Sequence, residues 1–477
     1  MENLFTMSAT EIARGIKEKR LSPVEVVEAH IKKIEEVNPK LNAVVQFRFD
    51  EARAEAREAE AKLNGGSENL PPLFGVPFTV KECFAMDGFP WTAGIWARKD
   101  FIADFDATTV KRLRDAGAIV VGRTNVPEGC MWCETYNTIY GRTNNPYDLG
   151  RTVGGSSGGE GAIVGAGASP FGLAADVGGS IRYPAAFNGV PGHKPTGGLV
   201  PGTGCDPKAE GPLGRYCTYG PIARRVEDLK TIMPLLAGPD GKDNATLDKK
   251  IESPDSVNLS ETKIFHYDSN GAFPLGRDVR HAVLKAVNAL DAEGMKVEYW
   301  RPKGIEKGLD IWQAGMAENP HPYVDILGHT EPISLKREIA RYISGKSKIT
   351  GIALLTAAIE KPGQLLEGRN KKFLALADEM RDRIEERLGD NGVILCPVFP
   401  VPAPKHNMIW FNLPGIGYTG VYNILQFPST IVPIYRRADG VPVSIQIVSG
   451  RFKDHVTLAV GELLEKIFGG WQPPEKI

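Results

Sequence analysis

The chain has 477 residues, enough for one large domain or two medium ones, and its 42% hydrophobic and 24% charged content lies near globular averages. A formal net charge of −1 with no sustained Lys/Arg run argues against a nucleic-acid face, and six cysteines are too sparse for a disulfide scaffold. The start, MENLFTMSATEIARG, lacks the apolar core of a signal peptide, and no stretch approaches about 18 uninterrupted apolar residues; a soluble, cytoplasmic protein without a membrane span is expected.

Ser8 with Glu11 and Ser22 with Glu25 each fit a capping box, and Pro23 stands where a first-turn proline belongs, so two helices open the chain. NAVVQF reads as a strand, and EARAEAREAEAKL, alternating in charge at helical spacing, as a solvated helix. PPLFGVPFTVKECF predicts a short apolar strand ending at Lys81, and DATTVKRLRDAGAIVVGRTN a helix followed by a buried strand. Residues 158–167 predict a small-residue helix, FGLAADVGG a strand, and SIRYPAAFNG another helix. Later, KIFHYD, RDVRHAVLKAVNALDAEG and MKVEYW form a βαβ pattern, and FLALADEMRDRIEERLGDNGVILCPVF repeats the helix-to-strand step. TIVPIYRRADGVPVSIQIVS reads as a hairpin turning at Asp439-Gly440, and RFKDHVTLAVGELLEKIF as a closing helix. This alternation predicts an α/β class protein, an α/β/α sandwich with a large mixed central sheet, as a single domain over 1–477. Residues from about 300 to 370 break the rhythm and read as a helical or loop-rich cap beside an active site.

Two glycine-rich stretches carry the chemistry, VGGSSGGEG at 153–161 and DVGGSIRYPA beginning at Asp176. Ser156 precedes a predicted helix, and Ser180 lies where a predicted strand meets one. Both then sit at helix N-termini, where N–H groups and the helix dipole favour negative charge. The bare backbone from Val177 through Gly178 and Gly179 to Ser180 has amides able to converge on the oxyanion of a carbonyl attacked by Ser180. A serine needs a base. None of the eight histidines stands in a motif with an identifiable acid, and His193, in PGHKPT, reads as a packed or turn residue. Lys81, held at the end of an apolar strand, is the alternative, since a buried lysine loses its charge readily.

Blander readings compete at several positions. Ser157 fits G-x-S-x-G, but a downstream Asp and His in a strand–elbow–helix context are missing, so it reads as a helix cap or a bonding partner within the site. Gly159-x-Gly161-x-x-x-Gly165 is not clearly preceded by a strand and reads as close helix packing. Cys130 and Cys133 form a lone CxxC, better read as two cysteines on a pocket wall than as a metal or redox site. No His/Asp/Glu cluster suggests a metal.

The two stretches, read together as GGSSGGEGAIVGAG…AADVGGSIRYPAAFNGVPGHKPT, resemble the signature block of the amidase signature family. KECF resembles that family's catalytic-lysine segment, GRTNNPYD its lead-in, and YTGVYNILQFPSTIVPI and GVPVSIQIVSGRFKD its C-terminal core. CMWCETYNTIYGRTNNPYD and FGGW look most like the branch containing the second fatty-acid amide hydrolase. The resemblance covers most of the chain and is weakest at about 240–370. It implies Ser180 as acyl-forming nucleophile, Ser156 as a bridging serine after a cis peptide bond, Lys81 as base, Val177 to Ser180 as oxyanion hole, and Met131 near a carbonyl that contacts the leaving amide. Asp176 and Arg182 would buttress the catalytic loops. It implies a small-molecule amide substrate, no metal or organic cofactor, and relatives that also cleave esters and carbamates, so urethane cleavage is open. The expected absence of an N-terminal span departs from the membrane-bound fatty-acid amide hydrolases and favours a dispersed amide or carbamate. A homodimer is left open. The rival readings are the glutaminase subunit of a tRNA-dependent amidotransferase and a non-catalytic binding protein that keeps the fold.

Overall fold

In the computed structural model of the chain, which describes residues 4–66, 69–364, 366–475 and 477 and the backbone alone at 361–364, the first helices start where their caps predict. Helix α1 (Ala9–Lys17) has the full box: Ser8 accepts the Glu11 N–H and Glu11 accepts the Ser8 N–H, both at 2.9 Å. Helix α2 (Pro23–Leu41) has half of it, because the Ser22 hydroxyl accepts from Glu25 N–H at 3.2 Å and itself donates to Glu60. Helix α3 (Phe49–Asn64) buries Ala52, Ala56, Ala59 and Leu63 as one stripe and leaves its charges to solvent.

The remaining helices are α4 (Thr108–Asp115), α5 (Gly158–Gly165), α6 (Arg182–Phe187), α7 (Leu213–Tyr216), α8 (Val226–Leu236), α9 (Arg277–Ala292), α10 (Gly308–Met316), α11 (Tyr323–Gly328), α12 (Leu335–Ile343), α13 (Gly351–Gln364), α14 (Glu367–Leu388), α15 (Gly420–Ile424) and α16 (Asp454–Phe468). Helices α10 to α13 fill the 300–370 stretch that the sequence marks as out of rhythm.

The main sheet has 11 strands: β1 (Val44–Phe47), β2 (Pro77–Lys81), β3 (Ile119–Thr124), β4 (Phe171–Asp176), β5 (Gly192–Lys194), β6 (Thr218–Ala223), β7 (Lys263–His266), β8 (Lys296–Tyr299), β9 (Gly392–Pro397), β10 (Ser429–Arg436) and β11 (Pro442–Val448). Their spatial order is β1-β3-β2-β4-β6-β5-β10-β11-β9-β7-β8. The sheet is mixed, as expected. Strands β3, β2 and β4 run parallel, as do β9, β7 and β8, and the strands between pair antiparallel. The predicted βαβ unit closes with Lys263 opposite Lys296, and the hairpin turns at Gly440, whose φ is 83°.

Side chains alternate across this sheet with period two. Phe171, Leu173 and Ala175 enter one core with helices α1, α4, α8, α9 and α16, whereas Ala174 enters another with α2, α3, α5 and α6. Phe265, Ile394 and Cys396 face α10, α14 and α15. Helices cover both faces, which is the α/β/α sandwich. At the centre Phe78 and Phe171 stack at 5.0 Å, both fully buried. Each such ring contributes roughly 1.5–3 kcal/mol by burial. This pair fixes β2 beside β4 and so sets the end of β2, Lys81, next to Ala175.

Candidate active site

Helix α5 is seated by its glycines and one buried acid. A Cβ at Gly159 would lie 2.4 Å from the Asn125 nitrogen, and one at Gly161 2.8 Å from Pro184, so these glycines serve close packing, as the sequence suggests. Glu160 accepts from Thr79 at 2.5 Å and from Thr124 at 2.8 Å, binding α5 to β2 and β3. Burial pushes its carboxyl up to about 8, so it is largely protonated at neutral pH. The residues just before α5 are thereby held over the end of β2.

There the Lys81 amine lies 2.8 Å from the Ser156 hydroxyl, with Lys81 1% exposed, and the Gly155–Ser156 peptide is cis. Ser157 donates to the Ala175 carbonyl at 3.2 Å and receives the Ala175 N–H at 3.4 Å; its side chain bonds within the site and does not cap α5. Its own N–H donates to the Ser180 carbonyl at 3.2 Å, linking the two glycine stretches. Lys81, Ser156, Val177 and Ser180 line one cavity, together with Cys83, Cys130, Met131, Asp176, Cys205 and Cys217.

Burial disfavours the Lys81 ammonium. Opposing it is the negative charge that Cys130, Cys83, Cys205 and Cys217 would carry as thiolates, which with all four ionised raises the amine above its ordinary value. Those thiols are themselves held protonated. Burial pushes Cys83 well up and Cys217 to about 11, and a hydrogen bond from Cys83, with burial, does the same for Cys130. At neutral pH their pull on Lys81 is therefore absent, and what remains is the burial that lowers it.

The loop from Asp176 to Arg182 is held from behind. Asp176 Oδ1 accepts from Gly179 N at 2.8 Å, Arg182 Nη2 at 2.9 Å and Asn423 Nδ2 at 3.0 Å. Its Oδ2 accepts from Ile181 N at 3.0 Å, Arg182 Nε at 3.0 Å and Arg182 N at 3.3 Å. The pair is fully buried; although burial raises the carboxyl, the Arg182 charge outweighs it and holds Asp176 far below the usual carboxylate range. Asp176 and Arg182 thus tie the loop to its backing. Gly179, at φ 138°, places its N–H on Asp176, and a Cβ there would lie 2.4 Å from the Tyr183 ring. No hydrogen bond among the described residues claims the N–H of Gly178 or Ser180.

Three residues that the sequence did not single out orient this loop. Trp312 donates to the Val177 carbonyl at 2.9 Å, and Thr419 and Tyr183 donate to the Gly178 carbonyl at 2.6 and 3.1 Å. Binding the carbonyls on one side turns the following N–H groups to the other. A Cβ on Gly178 would meet the Trp312 indole at 2.9 Å.

His193 lies outside this cavity, fully buried and bonded to Thr430 at 2.9 Å and Asp454 at 3.1 Å, a packed residue as predicted. The CxxC pair divides: Cys130 lines the cavity, whereas Cys133 packs with Tyr183 and Phe187 in a separate core. All six cysteines are free. A wider cleft of about 1070 Å³ shares Cys205, Asp206, Lys208 and Ala209 with the cavity that Lys81 lines. No helix among the described residues is long and apolar enough to cross a membrane.

With this geometry in hand, comparison with known proteins is specific. The Amidase family profile matches residues 25–458. The human fatty-acid amide hydrolase 2 is 39% identical over an alignment covering 100% of this chain and 91% of that protein. A glutamyl-tRNA(Gln) amidotransferase subunit from Carboxydothermus hydrogenoformans is 41% identical, covering 97% of each. Among solved structures, a bacterial aryl acylamidase of the amidase signature family superposes with a TM-score of 0.80 at 27% identity, covering 96% of both chains.

Proposed function

The chain belongs to the amidase signature family and is an amide-cleaving hydrolase, and from that premise we propose that Lys81, Ser156 and Ser180 cleave acyl amides through a covalent acyl-enzyme. Neutral Lys81 takes a proton from Ser156, which takes one from Ser180 as its oxygen attacks the amide carbonyl. The N–H groups of Gly178 and Ser180 receive the oxyanion, while the Gly179 N–H is spent on holding the loop to Asp176. Ser156 then returns a proton to the departing nitrogen, without which an amine leaves poorly. Water cleaves the ester by the same relay. The observation that carries this reading is the 2.8 Å contact between Lys81 and Ser156 in a cavity that Ser180 also lines.

The substrate we infer is an acyl amide with a hydrophobic acyl part, a fatty-acid amide or an aryl acylamide, with esters and carbamates as further candidates. The described cavity wall is mainly apolar, and of its two lysines one is the base while Lys208 pairs with Glu210. Glutamine would bring an ammonium to carboxylates already engaged, Asp176 by Arg182, Asp206 by Arg98 and Glu360 by the Tyr323 N–H, and a carboxylate to a wall whose second lysine is paired. The 41% identical amidotransferase subunit keeps the glutaminase reading as the second one. A screen of p-nitroanilides, long-chain amides, small carbamates and glutamine decides between them. Turnover of the apolar amides supports the proposal, and ammonia release from glutamine alone overturns it. Lys81→Ala should keep the fold and cut amide cleavage by orders of magnitude; near-full activity would refute the relay.

A further inference from the structure

The cavity that holds Lys81, Ser156 and Ser180 is narrow and opens onto the wider cleft along Cys205, Asp206, Lys208 and Ala209. How far its walls stand apart sets how large an acyl group it admits. Met316, Asn319, Tyr323, Ile326 and Glu360 of that wall come from the 300–370 segment. One residue ties this segment to the opposite wall. The Glu128 carboxyl accepts from Thr350 N at 2.9 Å and from the Thr350 hydroxyl at 2.8 Å, and the Glu128 carbonyl accepts from the Tyr323 hydroxyl at 2.7 Å.

Thr350 itself caps α13, its hydroxyl accepting from Ala353 N at 3.3 Å and its carbonyl from Leu354 N at 3.1 Å. Glu128 is followed directly by Gly129, Cys130 and Met131, all on the cavity wall. Gly129 has φ 60°, and a Cβ there would stand 2.7 Å from the Tyr323 ring, so the two walls meet without a gap. Glu128 is 2% exposed, and its second oxygen, Oε1, has no partner among the described residues. Such an orphan is tolerable when protonated and costly when charged.

We propose that Glu128 is a positioning residue that latches the 300–370 segment over the catalytic cavity, holding it closed as the protonated acid and releasing it as the hydrated carboxylate. The inference rests on the reading of this cavity as the site of amide cleavage. Tyr323 on α11 bonds the Glu128 carbonyl, and Cys130 of the same loop and Glu360 of α13 lie about Tyr323. The cations nearby are otherwise engaged: Lys348, just before α13, stacks on Trp96 at 4.8 Å, and Arg98, in the turn against α11, pairs with Asp206 at 2.6 Å. Burial accordingly pushes Glu128 up to about 7 while the latch is shut, despite the bonds from Thr350. Opening admits water and lets the acid fall back toward its ordinary range. The sign follows: closure is strongest below the ordinary carboxylate range, weakens by up to tenfold per pH unit as pH rises to about 7, and changes no further above it.

The test is hydrogen-exchange protection of the peptides covering 323–360, measured from pH 5 to 8 in the wild type, Glu128→Gln, Glu128→Ala and Thr350→Val, with KM and kcat for a long-chain acyl amide alongside. Wild-type protection should fall at least tenfold between pH 5 and 7.5 and then level off. Glu128→Gln, uncharged and able to accept both Thr350 bonds, should hold protection and KM nearly constant. Glu128→Ala and Thr350→Val should lose tenfold or more at every pH, with KM moved more than kcat. A Gln variant with the wild-type pH dependence, or Ala and Val variants with wild-type protection, would overturn the latch. Protection is read without turnover, so a chain that follows this pattern yet cleaves no amide would sink the amidase reading and leave the latch standing.

Discussion

Replacing Asp176 by Asn tests whether the buried pair behind the nucleophile loop positions Ser180. Each carboxylate oxygen of Asp176 receives three N–H donors, Gly179, Arg182 and Asn423 on one and Ile181 and Arg182 twice on the other. An Asn side chain has one oxygen, so whichever way it turns, its NH2 group faces three donors. The Arg182 guanidinium, 0% exposed, also loses its counter-charge. Removing one partner of a buried ion pair costs about 3–5 kcal/mol, which should appear as a lower denaturation midpoint with an unchanged slope. Either orientation displaces a loop N–H, that of Gly179 on one side or of Ile181 on the other, and shifts the neighbouring amides, so kcat should fall by about 10²–10³-fold, as when an oxyanion contact is lost. The double variant Asp176→Leu/Arg182→Met should recover much of the stability and none of the activity. Wild-type stability and turnover in Asp176→Asn would refute the positioning argument, and recovered turnover in the double variant would refute it too.

Gly178→Ala should keep the fold but displace the Trp312 indole, 2.9 Å from the new methyl group, and lower kcat at least tenfold; an unchanged kcat would show that the Trp312 contact does not orient the loop. Ser157→Ala removes two buried bonds to Ala175 and should cost about 1–3 kcal/mol by chemical denaturation, with activity reduced far less than by loss of Ser156. Glu160, raised by burial to about 8, binds its proton more tightly folded than unfolded, so its contribution to stability is fullest below its ordinary range and is lost as pH rises to about 8. Glu160→Gln should therefore flatten the decline in stability between pH 5 and about 8, and a decline as steep as the wild type's would refute that assignment.

The elements that build the candidate site were legible because each rests on local pattern. An apolar run ending in a lysine gives β2, small residues at close spacing give α5, and bare glycines before a serine give the loop at Val177–Ser180. Ser8 and Glu11 announce α1 for the same reason. What was not legible depends on distance along the chain. Trp312 reaches back 135 residues to Val177, and Thr419 reaches back 241 to Gly178, from stretches with no pattern of their own that points to a site. The separation of Cys130 from Cys133 follows from Gly129 and Cys130 both having positive φ, a local twist that the CxxC spacing does not reveal. The strand order is hidden likewise, since β5 joins β10 across more than 200 residues through a ladder with only His193 and its two neighbours in register. The commitment of the Gly179 N–H to Asp176 also needed coordinates, because sequence alone counts that amide with its neighbours.

The most direct test is to treat the wild type, Ser180→Ala, Ser156→Ala and Lys81→Ala with a fluorophosphonate and locate the adduct by peptide mass spectrometry. The account predicts one adduct on Ser180, absent in Ser180→Ala and formed at least about a hundredfold more slowly in the other two variants, a loss of roughly 2.7 kcal/mol in transition-state stabilisation. An adduct on Ser157 or on a serine outside the cavity, or an undiminished rate in Lys81→Ala, would contradict it.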